Sequence, residues 1–319
     1  MRAASVTAEL ERLATTGMNA APIDLAEAQA YCRRLARTHY ENFAVATRLL
    51  PPHLRQHFCN VYAYCRWADD LADETAGGQA SVALLDHWEK ELLACYGGTP
   101  RHPILVALTD TIREFDIPAQ PFRQLLVAFR QDQSVTHYET LNDLLEYCQS
   151  SANPVGHLVL YLGRCYDQTN ATLSDHICTA LQLANFCQDV RRDWERGRLY
   201  LPREICRRAG CREEQLAAGG FDAHWRDAVK TLVDDAAARF DQGAALIARL
   251  PRELQLDVWL FLEGGRAILR KIRALNFDVW QRRPIVSKRD QLTLFARGLW
   301  LKLTGRLATS RAASREVRA

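Results

Sequence analysis

The stretch Val61–Glu74, VYAYCRWADDLADE, decides the fold. It places four carboxylates and one arginine directly after an apolar run, with no glycine or proline to break it. On a helix, side chains three and four residues apart share a face. Asp69 and Asp73 are so related, as are Asp70 and Glu74, and Arg66 precedes the Asp69-Asp70 pair by three and four. Like charges at this spacing cost a helix about a few tenths of a kcal/mol per pair. The acids are therefore either a solvated helix face, with Arg66 as a local counter-ion, or one half of a metal site.

A second stretch, Leu183–Pro202, LANFCQDVRRDWERGRLYLP, repeats the pattern. Asn185, Asp189 and Asp193 fall at i, i+4 and i+8 on one stripe, with Arg192 and Arg198 close by. Both stripes lie on otherwise apolar helices. Such helices are buried on most sides, and buried like charges need a cation. Oxygen donors without a nearby histidine or cysteine suit Mg²⁺, which completes its shell with waters and phosphate oxygens. Arginines beside the acids suit a diphosphate bridged by that Mg²⁺. The chemistry this favours is heterolysis of an allylic C–O bond, with metal and arginine stabilising the leaving diphosphate and an apolar cavity sheltering the carbocation.

Outward from these stretches, helical periodicity dominates the chain. Helices are expected over 24–38, 41–50, 53–76, 81–96, 103–115, 121–131, 140–150, 154–167, 174–195, 222–249, 251–279 and 287–307. Asp24 and Ser174 are expected N-caps. Breakers fall between the helices at Pro51-Pro52, Gly77-Gly78, Pro118, Gly219-Gly220, Pro251 and Pro284. The expected fold class is all-α: a single-domain bundle over 23–307, a loose N-terminal segment 1–22 and a disordered tail 308–319. The net charge of +3 implies no general nucleic-acid field. The ten cysteines form no CxxC pair and read as reduced, buried small hydrophobes. No run of 18 apolar residues would span a membrane. The N-terminus lacks a secretory apolar core, which implies the cytoplasm.

Residues 282–319 carry ten Lys/Arg against two acids, Asp290 and Glu316. Leu292, Phe295, Leu299, Trp300 and Leu303 recur at helical spacing among those charges. Two readings stay open: a surface helix packing its apolar stripe on the core, or a basic amphipathic helix touching anionic lipid at the inner face of the cytoplasmic membrane.

The sequence resembles the squalene/phytoene synthase family of head-to-head prenyl transferases. Asp69-Asp70-Leu71-Ala72-Asp73 is similar to the family's first Asp-rich motif and Asp189-Val190-Arg191-Arg192-Asp193 to its second. The likeness covers roughly residues 24–290. It includes His39-Tyr40-Glu41-Asn42-Phe43, Ala152-Asn153-Pro154-Val155-Gly156, Gly197-Arg198-Leu199-Tyr200-Leu201-Pro202 and Asn276-Phe277-Asp278-Val279-Trp280. Within the family, YENFAVATRLLP (40–51), LANFCQDVRRDWERGRLYLP (183–202) and FLEGGRAILRKI (261–272) resemble the bacterial enzymes of the hopanoid route that form hydroxysqualene.

The resemblance implies an isoprenoid synthase bundle around a central cavity. It implies presqualene diphosphate as substrate, hydroxysqualene and diphosphate as products, water as final nucleophile, no NADPH, and partner enzymes of the squalene route. By motif, Asp69, Asp70, Asp73, Asn185, Asp189 and Asp193 would bear on Mg²⁺. Asn42, Arg66, Arg198, Tyr200 and Arg282 would bind substrate, and Tyr147 would line the reaction cavity. Gln188 stands where several relatives carry arginine. Gly265 replaces a tyrosine of some relatives and would leave extra room in the cavity. Alternatives within the family are presqualene diphosphate or squalene synthesis from two farnesyl diphosphates, with NADPH for squalene, and phytoene synthesis. A non-enzymatic, membrane-associated assembly factor of the same fold is the alternative outside catalysis.

Overall fold

The computed structural model describes residues 23–39, 50–75 and 77–307. Expectations for 1–22, 41–49 and 308–319, Asn42 among them, lie outside the described residues. Helices account for all the regular structure there, and the one β-type pairing is an isolated bridge between His137 and Leu199. The described residues group into two compact units. One runs to Val135 and includes His157–Tyr166; the other holds Thr136–Gly156 and the chain from Asp167 onward.

The first unit is built on α1 (Leu25–His39), α2 (Pro52–Asp73), α3 (Gly78–Gly97), α4 (Pro103–Phe115) and α5 (Ala119–Gln131). Asp24 accepts a hydrogen bond from the Ala26 N–H at 3.0 Å, as expected of a cap. In α2, Leu54, Val61, Tyr64 and Leu71 recur on one side and are buried. Near its C-terminal end the helix is enclosed almost all round, because Trp67, Ala68, Asp70, Leu71 and Ala72 are all buried. Tyr64 stacks on Trp88 of α3 at 5.7 Å and donates its hydroxyl to the Phe122 carbonyl of α5. Asn60, fully buried, donates to the Ala107 carbonyl and the Thr111 hydroxyl of α4. Burying large apolar side chains of this kind stabilises a fold by about 1.5–3 kcal/mol each. The helix ends at Glu74, and Gly77 and Gly78 turn the chain with φ of 75° and 59°, a region that favours glycine.

The second unit contains α6 (Leu141–Ser151), α8 (Gln168–Glu195), α9 (Arg203–Ala209), α10 (Glu213–Ala217), α11 (Ala223–Gly243), α12 (Leu246–Arg249), α13 (Arg252–Ala274) and α14 (Lys288–Leu303); a short helix, α7 (Asn153–Leu162), links α6 to the chain before α8. The long α8 packs along α11 and against α13. Their approach is close: a Cβ on Gly243 would lie 2.8 Å from the Leu173 carbonyl oxygen and 2.6 Å from an Ile177 side-chain carbon.

Three expectations need correction. α8 begins at Gln168, not 174, because Asp167 caps it by accepting from the Asn170 N–H at 2.7 Å; Ser174 is an interior, buried residue. The expected 222–249 helix breaks after Gly243. Gly265 opens no room, because a Cβ there would strike the Phe240 ring and a Leu181 methyl. Its missing side chain lets α13 close on α8 and α11.

All ten cysteines are free thiols. Burial pushes the Cys65, Cys148 and Cys178 thiols up to about 12, so they persist as uncharged, unreactive groups.

Candidate active site

The first acidic cluster sits on the last turns of α2. Enclosure of that helix end fully buries Asp70, while the Asp69 side chain stays 40% exposed and Asp73 is exposed. Arg66 reaches forward along the face the spacing predicts. Its guanidinium lies 3.1 Å from Asp69, in direct ionic contact with Asp70 and 3.5 Å from Glu74. Neither oxygen of Asp70 accepts a hydrogen bond of standard geometry among the described residues, and one oxygen of Glu74 is likewise unsatisfied.

Partial loss of solvent around the Asp69 carboxyl raises its pKa to about 6, against the pull of Arg66 and with help from Asp73, Asp70 and Asp132. Asp132 was invisible in the sequence as a member of this cluster. It caps the C-terminal end of α5, which meets the end of α2 where Gln133 donates to the Ala72 carbonyl at 3.2 Å.

The second cluster lies on the last turns of α8. Asn185 is exposed, and Asp189 and Asp193 are partly buried. Asp189 is held by Arg283 through a two-bond fork, with Nη2 donating at 2.8 Å and Nε donating to the other carboxylate oxygen. Arg192 is 3.7 Å away on the same helix. Burial raises Asp193 to about 7, the Asp189 charge adds to this, and Arg196, Arg198 and Arg192 oppose it. Gln188 donates to the Pro284 carbonyl, so two consecutive α8 residues fasten the 283–284 segment.

The resemblance places Arg282 among the substrate-binding residues. Arg282 is exposed and forms no ion pair among the described residues, whereas its neighbour Arg283 turns inward. No pattern in QRRP distinguishes the two; only the packing of the segment against Gln188 does.

Beside the second cluster, the chain at Arg198–Pro202 pairs with 136–138. Leu199 N–H donates to the Thr136 carbonyl, and Arg203 N–H to that of Tyr138. This pairing carries Tyr200 into an aromatic cluster. Tyr200 stacks on Phe186 with ring centres 4.0 Å apart and lies 6.1 Å from Tyr147 and 6.0 Å from Tyr138. Tyr147 and Tyr200 are thus brought together, and Tyr138 and Phe186 are additions that the sequence alone did not single out.

Among the described residues no group of three or more His, Cys, Asp or Glu converges as a ready metal cage. The donors are nonetheless of the right kind for Mg²⁺, which takes one or two carboxylates and fills its shell with water and phosphate oxygens. Asp70 is the observation in favour: a fully buried carboxylate, offset by Arg66, without hydrogen bonds of standard geometry.

The described residues, all helical in their regular structure, have the fold of the all-α isoprenoid synthases. Two solved structures of that class match the chain. The squalene synthase HpnC from Alicyclobacillus acidocaldarius matches at TM-score 0.77 and 42% identity, over 81% of this chain and 97% of its own. A dehydrosqualene synthase solved with a ligand matches at TM-score 0.79 and 25% identity, over 88% and 98%. The chain belongs to the squalene/phytoene synthase family, whose profile matches residues 36–290. Among relatives, the 15-cis-phytoene synthase of Synechocystis sp. is 33% identical over 86% of this chain and 85% of its own. That of Synechococcus elongatus is 33% identical over 82% and 89%. The family acts on prenyl diphosphates.

Proposed function

We propose that the protein converts presqualene diphosphate to hydroxysqualene and diphosphate in a Mg²⁺-dependent reaction. The observation that carries the ionisation step is the pairing of each acidic cluster with an arginine: Arg66 on Asp69 and Asp70, Arg283 on Asp189. These arginines neutralise the acids. Mg²⁺ held by the acids would take over that neutralisation, which would leave Arg66 in the first unit and Arg283 and Arg198 in the second as donors suited to diphosphate oxygens. Mg²⁺ supplies charge neutralisation of the leaving diphosphate.

The C–O bond to the diphosphate breaks, and the electron pair leaves with it. The aromatic faces of Tyr147, Phe186 and Tyr200 suit a rearranging carbocation, since ring faces attract positive charge. Water then forms the new C–O bond and gives up a proton, so no reductant is consumed. The hydroxysqualene assignment draws on the likeness over 40–51, 183–202 and 261–272, and the 42% identity to a squalene synthase favours the squalene series.

A second reading has its own support. The 33% identity to 15-cis-phytoene synthases favours condensation of two prenyl diphosphates. Mass spectrometry of products from presqualene, farnesyl and geranylgeranyl diphosphates, each with and without NADPH, separates the two. An alcohol formed from presqualene diphosphate without NADPH is the expected result. Squalene formed only with NADPH, or phytoene from geranylgeranyl diphosphate, would replace the reading.

A further inference from the structure

α14 packs some apolar residues inward and turns a second apolar ridge away from the protein. Its inner side is Leu294, Gly298 and Leu301, and Gly298 lies so close to α13 that a Cβ would come within 2.8 Å of Leu256 and Trp259. The opposite side carries Leu292, Ala296, Leu299 and Leu303, spaced i, i+4, i+7 and i+11, with Trp300 beside them. Leu292 is 69% exposed, Leu303 78% and Trp300 53%. Lys288 and Lys302 flank this ridge on one side and Arg289 on the other, all exposed, and Arg306 lies over the Trp300 ring. The one acid of the helix, Asp290, is engaged by Lys271 at 2.8 Å and by the Ser287 cap. The ridge therefore presents leucines bordered by exposed cations.

We propose that this face of α14 docks on an anionic lipid surface, with Leu292, Leu299, Trp300 and Leu303 entering the headgroup–acyl boundary and Lys288, Arg289 and Lys302 meeting lipid phosphates. Charge complementarity selects this occupant. An apolar ridge with a basic border is the arrangement of interfacial helices. Among the described residues no helix is long and apolar enough to cross a membrane, so the contact is peripheral. Residues 308–319 make a poor cover, with Val317 their one large aliphatic residue and three further arginines that match the border in sign. Docking has a direct line to the candidate active site. Three residues separate Arg283, which grips Asp189, from Ser287, which caps α14.

Vesicle co-sedimentation of the full chain tests the proposal without substrate, so its outcome is independent of the assigned reaction. Wild type is expected to bind vesicles containing phosphatidylglycerol and to bind pure phosphatidylcholine much more weakly. Leu292→Glu/Leu303→Glu should lower binding at least about tenfold, and each of Lys288→Gln, Arg289→Gln and Lys302→Gln by roughly fivefold. Circular dichroism should be unchanged throughout, and so should the melting temperature of the Leu292/Leu303, Lys288 and Arg289 variants, whose side chains are exposed; Lys302 also faces Asp257, so its variant is compared at matched folded fraction. Wild type that ignores anionic vesicles, or a double variant that binds as well as wild type, would overturn the proposal. So would light scattering showing that the ridge holds two copies together in solution and leaves no lipid binding.

Discussion

Asp189 and its fork from Arg283 set the terms at the residue scale. A planar guanidinium can hold both carboxylate oxygens at once, which a lysine cannot. Arg283→Lys is expected to lower Mg²⁺-dependent diphosphate release by about tenfold or more, while Arg282→Lys stays within about twofold of wild type. Equal losses in the two variants would remove Arg283 from its assigned place. Asp189→Ala should cost about a hundredfold or more, read as kcat for diphosphate release.

Proton competition adds a pH signature. Burial raises Asp193 to about 7 and Asp69 to about 6, so both take up protons as pH falls that Mg²⁺ bound as proposed would have to displace. The Mg²⁺ concentration for half-maximal activity is expected to be flat above about pH 7 and to climb toward tenfold per pH unit below it. A requirement that stays constant from pH 8 to pH 6 would show that these carboxyls are not displaced from protons by the metal.

At the scale of elements, the α13–α14 contact holds a buried acid that the proposed chemistry does not use. Asp257 lies on α13 with both oxygens buried and outside any hydrogen bond among the described residues. Burial raises it to about 7, and Lys302 of α14 pulls the other way. A carboxyl whose folded pKa lies above its unfolded value contributes stability below about pH 4 that is lost as pH rises through about 7. At pH 8 the charge is a burden, and Asp257→Asn should raise unfolding stability by about 1–2 kcal/mol. The gain should vanish by pH 4 in urea melts. A variant less stable than wild type at pH 8 would mean that the ionised carboxylate has a compensating partner. In the same pair of helices Ser287 and Asp290 form a reciprocal cap, so Ser287→Ala should cost about 1 kcal/mol.

The same elements show how far the sequence could be read. Periodicity gave the helices, and i, i+4 spacing gave both acidic stripes, because these are local properties of the chain. The start of α8 was misplaced since Asp167 and Ser174 are equally good caps in isolation. Asp132, Arg283, Tyr138 and Phe186 join their clusters through tertiary packing that no local spacing encodes. The leucines of α14 had the right period, but only Gly298 against Trp259 shows which side faces in.

For the whole molecule, the acids that would bind Mg²⁺ are a cost when the metal is absent. Asp70 is fully buried, and Asp69 and Asp193 resist ionisation. A ligand that binds the folded chain and not the unfolded one raises stability by about 2.7 kcal/mol at a hundred times its dissociation constant. Mg²⁺ together with inorganic diphosphate is therefore expected to raise the melting temperature at pH 8. For a chain of this size the shift should be a few degrees. EDTA should return the curve to that of the metal-free protein. Either component alone should shift it less, because Mg²⁺ at the proposed site would draw on phosphate oxygens for its shell and the diphosphate would need the metal to approach the acids.

Asp70→Asn and Asp189→Asn distinguish this from salt effects. Each breaks an arginine pair, so each variant's own melting curve without Mg²⁺ is the baseline against which it should lose most of the shift. A full shift in both variants would place the Mg²⁺–diphosphate site elsewhere in the chain, and with it the assignment of the two acidic helix ends would fail.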